Sequence, residues 1–278
     1  MNTGIFTNIY KDEKLVYTKK LVETLKENGC KLFMYGEVSK RLKTKDAFKT
    51  INQRIDAMIV LGGDGTILNI ADFCAREGIP ILGINLGKVG FLAGLEISDM
   101  PKVYEILVAK KYNIEERIML NATIGDKHSS GLNEIVVSRK NLSKLISIDI
   151  FVNDEFVNNY NCDGFIVATP TGSTAYSLSC GGAIISPVCD VIALTAISPH
   201  TLNARPMIVS SDSTIRIVPT DSECDVLVDS KNFLPLKPRA EILIKKSVTN
   251  AKFIKPLSSS FFDNLLNKLN AWSKLERK

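Results

Sequence analysis

A single carboxylate, Asp64, stands among Gly62, Gly63 and Gly65 in the stretch VLGGDGTIL (60–68), directly after an apolar run. A glycine-rich turn between a strand and a helix favours anions. Glycine permits unusual backbone angles and close approach to a ligand, and the first N–H groups of the helix sit at the positive end of its dipole. Gly62, Gly63, Gly65 and Thr66 are therefore candidate phosphate-binding residues. An acid is a poor group to aim at a phosphate. It is a good one to aim at a hydroxyl that must lose its proton while attacking phosphorus, which makes the loop a candidate phosphoryl-transfer site. The plain alternative is a tight turn, with Asp64 exposed or capping a helix that begins at 67. Neither G-x-x-x-x-G-K-[ST] nor G-x-G-x-x-G fits the stretch.

Further along, NLGKVGFLAG (85–94) forms a second glycine-rich loop, and Phe91 within it suits either a core position or contact with a planar ring. Residues 160–182, YNCDGFIVATPTGSTAYSLSCGG, are dense in hydroxyls, which serve ribose, phosphate and base edges. Asn133 and Glu134 pair an amide with a carboxylate at a strand start; surface polarity is the simpler reading of those two alone. No G-x-S-x-G is present and His200 lies in PHTL without a nucleophile motif, so a Ser-His-Asp hydrolase is a poor fit.

The elements that must position these residues differ between the two parts of the chain. In the first part, strands are expected at 4–10, 31–35, 57–61 and 79–84 and helices at 12–28 and 67–77. This β-α-β alternation predicts an open parallel sheet whose loops after 57–61 and 79–84 open on one edge. After about 115, β-branched segments at 134–139, 145–153, 164–170, 213–219, 224–229 and 240–246 predict a mostly antiparallel β domain. Residues 259–272 place Phe262, Leu265, Leu266 and Leu269 on one helical stripe, predicting an amphipathic helix that packs back on the protein. The expected organisation is thus an α/β domain over 1–115, a β-rich domain over 116–256 and a returning helix over 257–278.

Composition excludes several classes. Of 278 residues 45% are hydrophobic and 23% charged, with a net charge of +5 and scattered cations, which suits anionic small molecules and gives no argument for nucleic acid. The 6 cysteines show no CxxC spacing and read as reduced thiols of a cytoplasmic protein. No apolar run is suited to spanning a bilayer, so no membrane role is expected.

Taken in order, GGDGT (62–66), NLGKVGFL (85–92), NE (133–134), CDG (162–164), TPTGSTAYSLSCGG (169–182) and PHTLNARP (199–206) resemble the bacterial type of NAD kinase. GGDGT alone also occurs in diacylglycerol and sphingosine kinases; TPTGSTAY with PHTLNARP carries the specificity. The resemblance implies a β-sandwich second domain, NAD bound between the domains, and transfer of the γ-phosphoryl of ATP or another polyphosphate to the adenosine ribose 2′-hydroxyl. By the same resemblance Asp64 is the general base and Gly65 lies on the substrate beside it. Asn133, Glu134 and Asp163 contact dinucleotide, and Thr174, Ala175, Tyr176 and Ser179 hold ribose and adenine. Phe91, Thr171, Lys144 and Asn161 are additional contacts. It implies a divalent metal, Mg²⁺, carried on the donor phosphates, and a homo-oligomer, dimer or tetramer. Two positions depart from the common pattern: Cys162 where many members have Gly, and Ser230 after Asp229 where Gly is common. A lipid kinase and a non-catalytic dinucleotide-binding regulator are the alternatives.

Overall fold

The computed structural model describes residues 1–43, 47–48, 55–87, 90–141, 143–200, 203–257 and 260–275. Lys88, Val89, Thr201 and Leu202, from two of the sequence motifs, lie outside the described residues. The chain divides into two compact units, Met1–Glu116 with Ala251–Lys278, and Arg117–Asn250.

The first unit is an α/β fold. Every residue of the strands Ala57–Gly62 and Ile81–Asn85 is buried, as expected for apolar runs inside a sheet covered on both faces. These strands pair in parallel with Gly62 opposite Asn85, and the strand Asn2–Thr7 pairs in parallel with both Lys31–Tyr35 and Ala57–Gly62. Strand order therefore reverses on either side of Asn2–Thr7, and the loops after Thr7 and Gly62 leave the sheet at one edge. In open parallel sheets that is where ligands collect.

Two expectations change here. The helix after Gly62 spans Asp64–Arg76, so it begins at Asp64 itself and not at 67; Gly63 is the capping position. Residues 251–256, placed by sequence in the β-rich domain without a strand of their own, form the strand Ala251–Pro256 of the first unit's sheet, with Phe253 opposite Ile81. Both Phe253 and Ile254 are buried there, because adjacent apolar residues suit a sheet covered on both faces.

The terminal helix Phe261–Leu275 is present, but it does not bury the stripe that its sequence favours. Phe262 and Leu266 are 63% and 57% exposed. The inward face is displaced by one residue: Phe261, Asn264, Leu265 and Lys268 are partly buried, and Phe261 stacks at 6.4 Å from Phe91. The side chain of Leu269 lies outside the described residues. Two stripes of i, i+3, i+4, i+7 spacing coexist in this segment, and the more polar one is turned inward.

The second unit contains two antiparallel six-stranded sheets. Alternating positions from both meet in one core, including Ile135, Val137 and Phe165 from one sheet and Ile148, Ile217 and Ile244 from the other. This is the geometry of a sandwich. Cys162 is fully buried in that core, where burial pushes its thiol up to about 12. Its substitution for glycine is thus a packing matter. All six cysteines are free thiols.

Candidate functional site

In the first unit, both carboxylate oxygens of Asp64 are oriented by the second glycine loop. Oδ2 accepts the Phe91 N–H at 2.8 Å and Oδ1 accepts the Leu92 N–H at 3.1 Å. A second tie holds the loops together, as the Leu86 N–H donates to the Gly62 carbonyl at 2.8 Å. Only glycine fits at 90: a Cβ there would collide with Asp64 Oδ1. Gly90, Phe91 and Leu92 thus hold the Asp64 carboxylate in one orientation.

Lysines close the other sides. Lys268 Nζ lies 3.6 Å from Asp64 Oδ2 and 3.5 Å from the Phe91 ring centroid. Burial holds its ammonium below the usual lysine range, and the Asp64 charge opposes that shift. Lys11 Nζ lies 2.9 Å from where a Cβ on Gly63 would stand, so it overhangs the glycine turn. Asn8 sets that position by accepting the Lys11 N–H on its carbonyl at 3.0 Å. Within the turn, the Gly63 N–H donates to the Thr66 hydroxyl at 3.2 Å, which also accepts from Asn8 Nδ2. Gly63 N–H and Thr66 Oγ1 thus shape the turn. The groups suited to an anion are the helix N-terminus at Asp64–Gly65 and the Lys11 ammonium.

In the second unit, the carboxylate of Asp229 accepts N–H bonds from Leu132 at 2.7 Å, Asn133 at 2.8 Å and Glu134 at 3.3 Å. That fixes the entry into the strand Glu134–Arg139. Burial raises the Asp229 pKa, and the backbone N–H groups pull the other way. Glu134 is 3% exposed, and its Oε2 has no hydrogen-bond partner among the described residues. Burial first, and the Asp229 charge second, push its carboxyl up to about 7. Near neutral pH it is therefore able to donate a hydrogen bond as well as accept one.

The hydroxyl-rich loop sorts into two sets. Thr169 Oγ1 donates to the Leu132 carbonyl at 2.6 Å, Ser173 Oγ donates to Pro170 at 2.7 Å, and Ser177 bonds Thr195 at 3.1 Å. Thr171, expected to touch substrate, is buried and accepts from Arg117 Nη1 at 3.2 Å. These side chains hold the loop in shape. Thr174 and Ala175 are half-buried, while Tyr176 and Ser179 are exposed. Gly172 passes so close to Asn133 that a Cβ would strike the Asn133 carbonyl oxygen, so the loop and the Asn133–Glu134 turn are pressed together. Asp163 pairs with Arg139 at 2.9 Å. Arg139 and Lys144 line a separate cavity of about 280 Å³ with Lys140 and Glu223. Asn161 is exposed and its carbonyl accepts the His200 N–H at 2.8 Å.

Lys11, Lys268 and Arg117 carry no motif in the sequence, and Asp229 enters there only as the residue before Ser230. Lys11 follows a strand at the edge where the strand order reverses, which is a signal once the topology is known. Asp229 reaches residues far upstream, so no local pattern could have found its partners.

Residues 3–112 match the ATP-NAD kinase N-terminal domain family and residues 132–256 match the ATP-NAD kinase C-terminal domain family. The chain is 40% identical over 276 residues to an NAD kinase of Caldanaerobacter subterraneus subsp. tengcongensis, covering 96% of this chain and 98% of the relative. It is also 40% identical to an NAD kinase of Lachnoclostridium phytofermentans, covering 95% and 97%. The fold is similar to a yeast NADH kinase complexed with NADH, at a TM-score of 0.85 and 26% identity, covering 97% of this chain and 86% of that one. It is likewise similar to an NAD kinase from Archaeoglobus fulgidus in complex with ATP, at a TM-score of 0.79 and 27% identity, covering 97% and 99%.

Proposed function

The chain belongs to the NAD kinase family, and we propose that it makes NADP by a transfer in which Asp64 deprotonates the adenosine ribose 2′-hydroxyl as that oxygen attacks the γ-phosphorus of ATP. The observation that carries this assignment is the grip of the Phe91 and Leu92 N–H groups on Asp64. A carboxylate fixed by two backbone donors keeps its orientation while a substrate hydroxyl approaches within hydrogen-bond reach. A positioned base contributes about 10²–10⁴ in rate. The remainder must come from alignment and from neutralising phosphate charge, because phosphoryl transfer asks little covalent chemistry of a protein.

Lys11 and the helix N-terminus at Asp64 hold the donor phosphates. Among the described residues no cluster of three His, Cys, Asp or Glu side chains could hold a metal ion. Mg²⁺ would be borne by the donor phosphates and water, where it would supply charge neutralisation. Polyphosphate presents the same phosphates and is an alternative donor.

Thr174, Ala175, Tyr176 and Ser179 are assigned to the ribose and adenine. They are the less buried neighbours of Thr169, Thr171, Ser173 and Ser177, whose hydroxyls bond within the domain. Asn133 and Glu134, with Glu134 partly protonated near pH 7, match a ring bearing both donors and acceptors. Asp163 and Asn161 remain candidate dinucleotide contacts, and Lys144 a peripheral one. No described helix is long and apolar enough to cross a membrane. A homo-oligomer in the cytoplasm completes the proposal, with assembly measurable by sedimentation.

The test is purified protein with Mg-ATP and NAD, with NADP read by a coupled dehydrogenase. NADP should form, and Tyr176→Ala should raise KM for NAD about tenfold or more, since aromatic stacking on a base is worth ~1–3 kcal/mol. An unchanged KM in that variant would remove the loop from the binding site.

A further inference from the structure

Lys268 is a costly residue for a helix to turn inward, and that cost is the starting observation. The terminal helix could have buried the wholly apolar stripe of Phe262, Leu265, Leu266 and Leu269. Instead Phe262 and Leu266 face solvent, and the helix directs a lysine at the one carboxylate in the glycine loop. A local rule broken in this way marks a functional position. Its placement is also specific. The Lys268 ammonium lies over the Phe91 ring at 3.5 Å from the centroid, and Phe91 is the residue whose N–H orients Asp64. Phe261, one heptad earlier on the same face, stacks against the same ring. Helix, ring and carboxylate thus form one unit that sets the lysine's position.

We propose that Lys268 is a catalytic cation of the transfer, moving from Asp64 to the oxygens of the γ-phosphoryl group as the reaction proceeds. This rests on Asp64 being the base. A hydroxyl bonded to Asp64 lies about 3 Å from it, and the phosphorus about 3–3.5 Å beyond, so the phosphoryl oxygens fall within the sweep of an ammonium 3.6 Å from Oδ2. In the step, the 2′-oxygen forms its bond to phosphorus as the bond from phosphorus to the donor's bridging oxygen breaks. The hydroxyl proton passes to Asp64 and the donor leaves as a nucleoside diphosphate. Once Asp64 is neutral, Lys268 has lost its counter-charge, and the phosphoryl oxygens are the nearest negative groups. Lys268 keeps its own protons and donates N–H bonds to those oxygens. The interaction strengthens from ground state to transition state, which is the condition for raising kcat. Lys11 faces the same turn from the other side and stays with the donor phosphates.

Lys268→Met keeps the aliphatic stem over Phe91 and removes the charge. Its kcat should fall ~10²-fold, as for loss of one preorganised donor, with KM for NAD within about twofold, and Lys268→Arg should recover part of the loss. A kcat within about threefold of wild type, or above it, overturns the proposal; the latter would make the ion pair a brake. A defect confined to KM for NAD overturns it as well. If Lys268→Met melts early, Lys268→Gln supports the same comparison. Wild-type protein that makes no NADP would defeat the kinase assignment itself, a result separable from any ratio between variants.

Discussion

At the scale of single residues, the least expected group is Glu134, buried beside Asp229 with one oxygen lacking a described partner. Its carboxyl is raised from 4.5 to about 7 on folding, so the folded state favours the protonated form. The sign is opposite to that of a salt-bridged carboxylate. The folded protein carries no penalty from this group below about pH 4.5, gathers one as pH rises from there to 7, and bears it fully above. Glu134→Gln should therefore melt like wild type near pH 4.5 and be more stable at pH 8, by up to about 3 kcal/mol. Equal stability of the two proteins at pH 8 would show that the carboxyl is solvated or paired. Sequence could identify Asn133–Glu134 as a polar pair, but not this titration, because the shift comes from burial and from a partner nearly a hundred positions away.

At the scale of elements, the hairpin joining Cys224–Val228 to Lys231–Leu236 places Asp229 and Ser230 at φ 47° and 64°. A two-residue turn with both central residues in the left-handed region favours Asp-Gly, and serine is strained at the second position. Ser230→Gly should raise the unfolding free energy by ~0.5–1 kcal/mol, read by denaturant melts, with Asp229 still gripping the 132–134 backbone. A loss of stability would mean that Ser230 contributes something other than strain. The departure from Asp-Gly was visible in sequence, whereas the reason to keep the aspartate was not. Strands were the most legible elements: 31–35 and 134–139 fall where their short apolar runs put them. The terminal helix was legible in existence and misread in orientation, because periodicity ranks faces by hydrophobicity and is blind to an ion pair formed across the fold. Asp64 stood out in sequence as the lone carboxylate of a glycine turn, and in the fold it accepts the Phe91 and Leu92 N–H groups, which no local pattern predicts. Its helix start was displaced because Gly63 serves as the cap, an unremarkable feature of a glycine run.

At the scale of the whole molecule, the two units are built differently along the chain. The second is one continuous segment, Arg117–Asn250, whereas the first is completed only when Ala251–Pro256 adds its strand after the second has been made. The texture change near 115 lies close to the division at Glu116, but nothing in sequence announced the return, since a six-residue strand with two adjacent apolar residues, Phe253 and Ile254, reads alike in either sheet. A fragment spanning 117–250 carries its own sandwich core and should unfold cooperatively by circular dichroism. A fragment ending at 250 should lack the native transition of the first unit. A non-cooperative melt of 117–250 would show that its core depends on the rest of the chain.

Asp64 is the group that takes the proton in the proposed transfer. The direct measurement is NADP formation by Asp64→Asn, which keeps the shape and the Phe91 and Leu92 contacts while removing the basicity, alongside NAD affinity by calorimetry. kcat should fall by about two orders of magnitude or more with NAD affinity retained. Turnover within a few-fold of wild type would contradict Asp64 as the base.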